Sequence, residues 1–250
     1  MTETEESPIW VQLPPFDKPV KWITSYYDYD VFGGLLSAIA DWCVTQIKSD
    51  NQCLIVVSGG TGSGKSNLAM NLIREILKIL KREWVLKEMY LYTLYDLAEK
   101  IENGTTNPIN WFDEGSIAFN SLDSTTEAGK LVGMFFDTVR IDHYITIVCM
   151  PNNKEMNGRV IKHADLFIDC PDKVPLPDFS PKGFFEVSTR KTYKSGKHFD
   201  TRRGVGIFRP APKKIREPYE ALKRQKVDEF KRNLAKKLLK RKRKEEKDSL

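Results

Sequence analysis

Short, continuously apolar runs alternate along the chain with longer stretches in which apolar residues recur every three or four positions. The clearest run is CLIVV at 53–57, which predicts a parallel strand covered on both faces. Before it, Leu35, Leu36, Ile39, Trp42, Cys43 and Ile47 fall on one side of a helix over 34–48. After it, NLAMNLIREILKILKR at 67–82 sets Leu68, Leu72, Ile76 and Ile79 in a stripe and ends in basic residues, which suit a helix C-terminus. The alternation continues with a strand over 88–92, a helix over 94–101 stopped by Asn103 and Gly104, and a strand over 109–113. A helix over 126–139, a strand over 144–150 halted by Pro151, a helix over 155–164 and a strand over 166–170 complete it. Strands and helices in turn, with short joints, predict an α/β fold: an open, mostly parallel sheet wrapped by helices, its ligand at the carboxyl ends of the strands.

The ends of the chain break this pattern. Residues 1–22 hold Pro8, Pro14, Pro15 and Pro19 among acids and predict an extended arm. PDKVPLPDFSPKG at 171–183 marks a boundary, after which 184–188 and 204–208 predict strands of a hairpin turning at KSGK, 194–197. Residues 217–247 are helical by composition, with Tyr219, Leu222, Phe230, Leu234 and Leu238 on one side. The expected organisation is an arm (1–22), a core (23–170), a linker with hairpin (171–210) and a basic amphipathic helical tail (211–250).

Charge sharpens this division. The chain's +6 is uneven, since residues 211–250 carry 16 Lys and Arg against 7 Asp and Glu; that segment is at +9 and the remainder at −3. A polyanionic partner is therefore expected for the tail, with the basic stretch RKTYKSGKHFDTRR at 190–203, including Tyr193 and Phe199, as a second contact. The start, MTETEESPIW, lacks the basic flank and apolar run of a secretory signal, and no apolar run approaches bilayer length. A cytoplasmic protein without membrane insertion is the expectation. Cys43, Cys53, Cys149 and Cys170 are scattered without a CxxC pair, which predicts buried reduced thiols, and His143, His163 and His198 are isolated.

The chemistry is concentrated behind the first strand. Gly59, Gly60, Thr61, Gly62, Ser63, Gly64, Lys65 and Ser66 match G-x-x-x-x-G-K-[ST], the Walker A pattern, and Asn67 follows at the head of the predicted helix. Glycines allow backbone conformations closed to residues with a Cβ, so that successive N–H groups can face inward around phosphates. Lys65 is the candidate for the β- and γ-phosphates and Ser66 for a Mg2+ ligand, with ATP as the nucleotide. Asp113 and Glu114 close a strand about fifty residues later, in the place of a Walker B pair. Asp113 is the candidate for the Mg2+ shell and Glu114 for polarising the attacking water.

GGTGSGKS, WFDE and the strand ending in MPNN together resemble the branch of P-loop ATPases with an added strand and a catalytic glutamate. That resemblance implies a three-layer sandwich with spatial strand order 5-1-4-3-2. Within the branch, DEGSIAFNS, FFDTVRIDHYITIVCMPNN and GRVIKHADLFI resemble ATPases of archaeal viruses and plasmids akin to the HerA/FtsK DNA motors and packaging ATPases. The resemblance implies a catalytic sensor role for Asn152, or for Asn153 beside it, and an arginine finger at Arg140, or at Arg159, offered to an adjacent subunit. Motors of that group usually have Gln at the sensor, where this chain has Asn.

The function expected from these residues is an oligomeric ATPase acting on DNA, a ring such as a hexamer, translocating or packaging the DNA of a virus or plasmid. Two alternatives stand beside it. One is an AAA+ replication initiator or helicase loader, although no helical lid with a sensor arginine is evident after Cys170. The other is a nucleotide-dependent switch or scaffold that binds a partner protein through the amphipathic 219–238 face with little turnover.

Overall fold

The computed structural model of the chain describes residues 10–11, 20–21, 32–104, 107–118, 143–152, 161–171, 183–192 and 198–248. Strands β1 (Trp10–Val11) and β2 (Val20–Lys21) form a small antiparallel pair. Then follow α1 (Phe32–Lys48), β3 (Cys53–Ser58), α2 (Lys65–Leu80), α3 (Leu86–Met89), β4 (Tyr90–Leu91), α4 (Leu94–Glu102), β5 (Ile109–Phe112) and α5 (Gly115–Ala118). Strands β6 (Ile145–Met150), β7 (Leu166–Asp169), β8 (Gly183–Thr192) and β9 (His198–Phe208) complete the sheet, and α6 (Lys213–Asp248) follows. The chain divides into a unit ending at Ala211 and a second unit, Pro212–Leu250, that contains α6.

The main sheet has the order β4-β5-β6-β3-β7-β8-β9. The pairs from β4 to β7 are parallel, and those of β7 with β8 and β8 with β9 are antiparallel. Numbered as the expected strands, β7-β3-β6-β5-β4 is 5-1-4-3-2. All residues of β3, β5 and β6 are buried, as parallel strands under helices on both faces must be. Alternation sorts them. Leu54 and Val56 of β3 pack with Phe112, Val148, Met150, Phe167, Leu97 of α4 and Ala118 of α5 on one face. On the other face, the Cys53 thiol lies 3.5 Å from the Cys43 thiol of α1, and both are buried. Helices therefore cover both sides, giving the three-layer α/β sandwich.

Two expected elements differ in extent. The second strand is only Tyr90–Leu91, because Leu86–Met89, rich in helix formers, makes a helical turn instead. The hairpin is longer than its apolar residues indicate, with Thr192 opposite His198, and it joins the main sheet through β7. The expected arm over 1–22, apart from β1 and β2, and the helix over 126–139 lie outside the described residues. So does the helix over 155–164 up to residue 160, after which Ile161 and Lys162 are helical.

A buried lysine ties α4 to the start of β5, at the end of that strand away from the acidic pair. Lys100 of α4 donates from Nζ to Ile109 O at 2.6 Å and to Asn110 Oδ1 at 2.7 Å, and it lies 5.5 Å from the Tyr144 ring centre. Burial pulls its pKa down to about 8, an effect that Glu88 partly offsets. Between pH 8 and the ordinary value of 10.5 the unfolded chain thus binds a proton that the native chain has released, so stability rises with pH across that window. Relative to Lys100→Met, the wild type should gain about 3 kcal/mol from pH 8 to 10.5 in chemical denaturation. A constant difference between the two proteins would contradict this.

Candidate functional site

Strand β3 ends at Ser58, and the chain turns at once into the glycine loop. Gly59 has φ 146° and Gly64 has φ 98°, backbone regions open to glycine, and Lys65 begins α2 directly after Gly64. A Cβ on Gly59 would stand 2.2 Å from the Cys170 carbonyl oxygen, so the loop passes against the end of β7 with no room for a side chain. The backbone fixes this passage. Cys170 N donates to Ser58 O at 2.7 Å, Gly59 N donates to Pro151 O at 3.3 Å, and the Ser58 hydroxyl donates to Asp169 Oδ1 at 3.0 Å. Lys65 Nζ donates to Gly59 O at 2.7 Å and Gly60 O at 2.8 Å, which sets its ammonium across the loop.

The acidic pair sits at the carboxyl end of β5. Asp113 is buried and Glu114 half-buried, and Glu114 O accepts a hydrogen bond from Ile117 N as α5 begins. Gly115 packs so closely on β6 that a Cβ there would be 2.4 Å from Val148 Cγ1, which presses the segment after Glu114 against that strand. Strand β6 lies between β5 and β3. Its last residue, Met150, pairs with Ser58, so Pro151 and Asn152 emerge beside the start of the loop. The candidate residues Asp113, Glu114, Asn152 and Lys65 are thus brought to the carboxyl ends of β5, β6 and β3.

Electrostatics reflects the same convergence. The Cys149 thiol, near the end of β6, is held well above its ordinary range, first by burial and then by the charge of Asp113, while Lys65 acts in the opposite sense. One buried thiol therefore senses both the acidic strand and the loop lysine. Tyr90 is also raised, by burial and then by Asp113 and Glu114, and its ring meets Trp111 edge-on at 5.4 Å. Cys170 is pushed up to about 12 by burial and Asp169.

Arg140, Arg159 and Asn153 lie outside the described residues. Of the basic stretch over 190–203, residues 193–197, Tyr193 among them, lie outside the described residues, and the described arginines have partners within the hairpin. Arg190 makes a two-pronged contact with Asp200 at 2.7 and 2.8 Å and stands 4.4 Å from the Phe167 ring centre. Arg202 pairs with Glu186 at 3.0 Å, and Arg203 donates to the Thr189 hydroxyl at 2.9 Å. These arginines hold the hairpin together, and a polyanion would have to displace those partners.

Sequence reasoning missed Ser58, Asp169 and Tyr90. Ser58 and Asp169 both end apolar strands, which is the only local sign of them. Their meeting depends on strand order.

The donor chemistry fits a small hard cation. The Ser66 hydroxyl in the first turn of α2 and the buried Asp113 carboxylate are oxygen ligands of the kind Mg2+ takes beside phosphates. Among the described residues no cluster of three or more His, Cys, Asp and Glu forms a metal site made by protein alone.

A central strand, a glycine loop and a helix in succession, with the acidic pair two strands away across β6, define the P-loop NTPase architecture. No protein-family model matches the chain, and no curated protein matches it. Among solved structures, it is similar to the genome packaging NTPase B204 from Sulfolobus turreted icosahedral virus 2 in complex with sulfate. That likeness has 15% identity and a TM-score of 0.41, and it covers 64% of this chain and 98% of that one. B204 from Sulfolobus turreted icosahedral virus, a DNA-packaging ATPase, is similar at 16% identity and TM-score 0.40, covering 65% and 98%. The KaiC-like protein PH0186 from Pyrococcus horikoshii OT3 is similar at 13% identity and TM-score 0.32, covering 63% and 90%.

Proposed function

We propose that the chain is a Mg2+-dependent ATPase that works on DNA as an oligomer, a translocating or packaging motor. The observation that carries the hydrolytic part is the meeting of the glycine loop, Asn152 and the Asp113–Glu114 pair at the carboxyl ends of β3, β6 and β5. Backbone amides of the loop and of the start of α2 would hold the phosphates, and Lys65 would exchange the carbonyls of Gly59 and Gly60 for phosphate oxygens. Ser66 and Asp113 would hold Mg2+, which supplies charge neutralisation at the phosphates. Glu114 would accept the proton of the attacking water, and Asn152 would contact the γ-phosphate.

Support for DNA comes from α6. Its 36 residues span about 54 Å at 1.5 Å per residue, and the segment that contains it carries the +9 excess. Exposed Lys213, Lys214, Arg224, Lys231, Arg232 and Lys236 suit the phosphate backbone rather than base edges. No helix among the described residues is long and apolar enough to cross a membrane. The sequence resemblance to DNA motors points to a ring, in which Arg140 of one subunit would serve the ATP of the next.

ATP turnover is expected to rise when DNA is added. Removing residues 212–250 should weaken DNA binding and flatten its dependence on salt, by about 0.9 in log–log slope for each DNA phosphate that the segment neutralises. Equal salt slopes with and without the segment, in a titration from low to physiological salt, would contradict its role.

A further inference from the structure

Helix α2 carries a buried polar side chain that the phosphate chemistry does not use. Asn71 is 6% exposed and lies among the buried apolar residues Met70, Leu72 and Ile73. Burying an amide without a partner is costly, and Asn is a poor helix former. Its partner is on another element: Asn71 Nδ2 donates to Arg209 O at 2.7 Å, just past the end of β9. One turn earlier, Asn67 Oδ1 accepts from Ala211 N at 2.9 Å. The two asparagines, four apart on one helix face, grip the chain as it leaves the sheet.

Phe208 extends this grip to the loop itself. A Cβ on Gly64 would lie 2.9 Å from Phe208 Cζ, and a Cβ on Gly183 would lie 2.1 Å from the same atom. The ring fills a slot between two glycines, one of which precedes Lys65. Phe185 stands behind it, 6.2 Å away centre to centre. Close-packed contacts of this kind do not yield by degrees, so while Asn71 holds the end of β9 on α2 that end and the loop open together.

We infer that residues 208–211 belong to the nucleotide-binding unit, with Asn71 as the positioning residue that holds them on α2. Nucleotide bound at the loop then suppresses the opening of both segments. The inference rests on the proposed nucleotide site. A ligand stabilises the native state only against openings that destroy its site. If releasing the end of β9 frees Phe208 from Gly64 and slackens the loop, bound nucleotide opposes that release in full.

Hydrogen exchange of the full chain, with and without a non-hydrolysable ATP analogue and Mg2+ at 100 times Kd, tests this. In the wild type, exchange over 59–66 and over 204–211 should both slow by up to about 100-fold. In Asn71→Leu, the slowing over 59–66 should persist and that over 204–211 should largely vanish. A merely structural role would lower the Tm of Asn71→Leu and leave ligand-induced slowing intact in both segments, which would overturn the inference. Slowing confined to 59–66 in the wild type would overturn it too. Phe208→Leu, which keeps an apolar side chain but empties the slot, provides the same comparison should Asn71→Leu fail to fold. No slowing anywhere would overturn the nucleotide site itself.

Discussion

Glu114→Gln should lower the rate of ATP hydrolysis by about 10²–10⁴-fold while ATP still binds. The amide keeps the volume and much of the hydrogen bonding of the carboxylate but accepts no proton. Glu114 lies one residue beyond the buried Asp113, at a point where α5 begins and Gly115 is pressed on β6. The substitution therefore changes a basic atom without disturbing the segment that places it. Single-turnover assays separate the two effects, since binding precedes chemistry. Turnover within a factor of a few of wild type would remove Glu114 as the base and move attention to Asp113.

Gly59→Ala should abolish nucleotide binding and destabilise the fold by about 3 kcal/mol or more. Two independent costs meet at this position. The backbone sits at φ 146°, which an L side chain rarely adopts, and the new methyl would lie 2.2 Å from the Cys170 carbonyl oxygen. That oxygen is backbone and cannot swing aside, because Cys170 N is tied to Ser58 O at 2.7 Å. Gly62→Ala is the control. At φ 80° it has the conformational cost alone, with open space around it, so about 1 kcal/mol is expected. Thermal or denaturant unfolding of both variants checks the ranking, and a Gly59→Ala protein as stable as Gly62→Ala would show that β7 gives way.

Much of the fold was legible because parallel strands under two helical layers must be apolar throughout. CLIVV, INWF and ITIVCM announce themselves, and the helices between them show their period. The strand order agrees with the one implied by the resemblance of the glycine loop and WFDE. The edge strand was harder to delimit, because a two-residue ladder leaves no periodicity and Leu86–Met89 competes as helix. The extent of the hairpin was hard to delimit for a different reason. Its outer half is held by cross-strand ion pairs and hydrogen bonds such as Arg190 with Asp200, which an apolar pattern does not report. In the sequence the same arginines belong to the stretch expected to contact a polyanion. Ser58 with Asp169, and Asn71 with Arg209, were invisible because their partners are 111 and 138 residues apart.

The proposed hydrolysis, DNA response and coupling to β9 all require the loop to grip a triphosphate through its amides and Lys65. Calorimetric titration of the whole 250-residue chain with a non-hydrolysable ATP analogue, with Mg2+ present and then chelated, measures this grip. Saturable binding at one site per chain is expected, weakened when Mg2+ is removed and lost in Lys65→Ala. Absence of binding in the wild type under both conditions, or undiminished binding in Lys65→Ala, would refute the nucleotide site and the mechanism built on it.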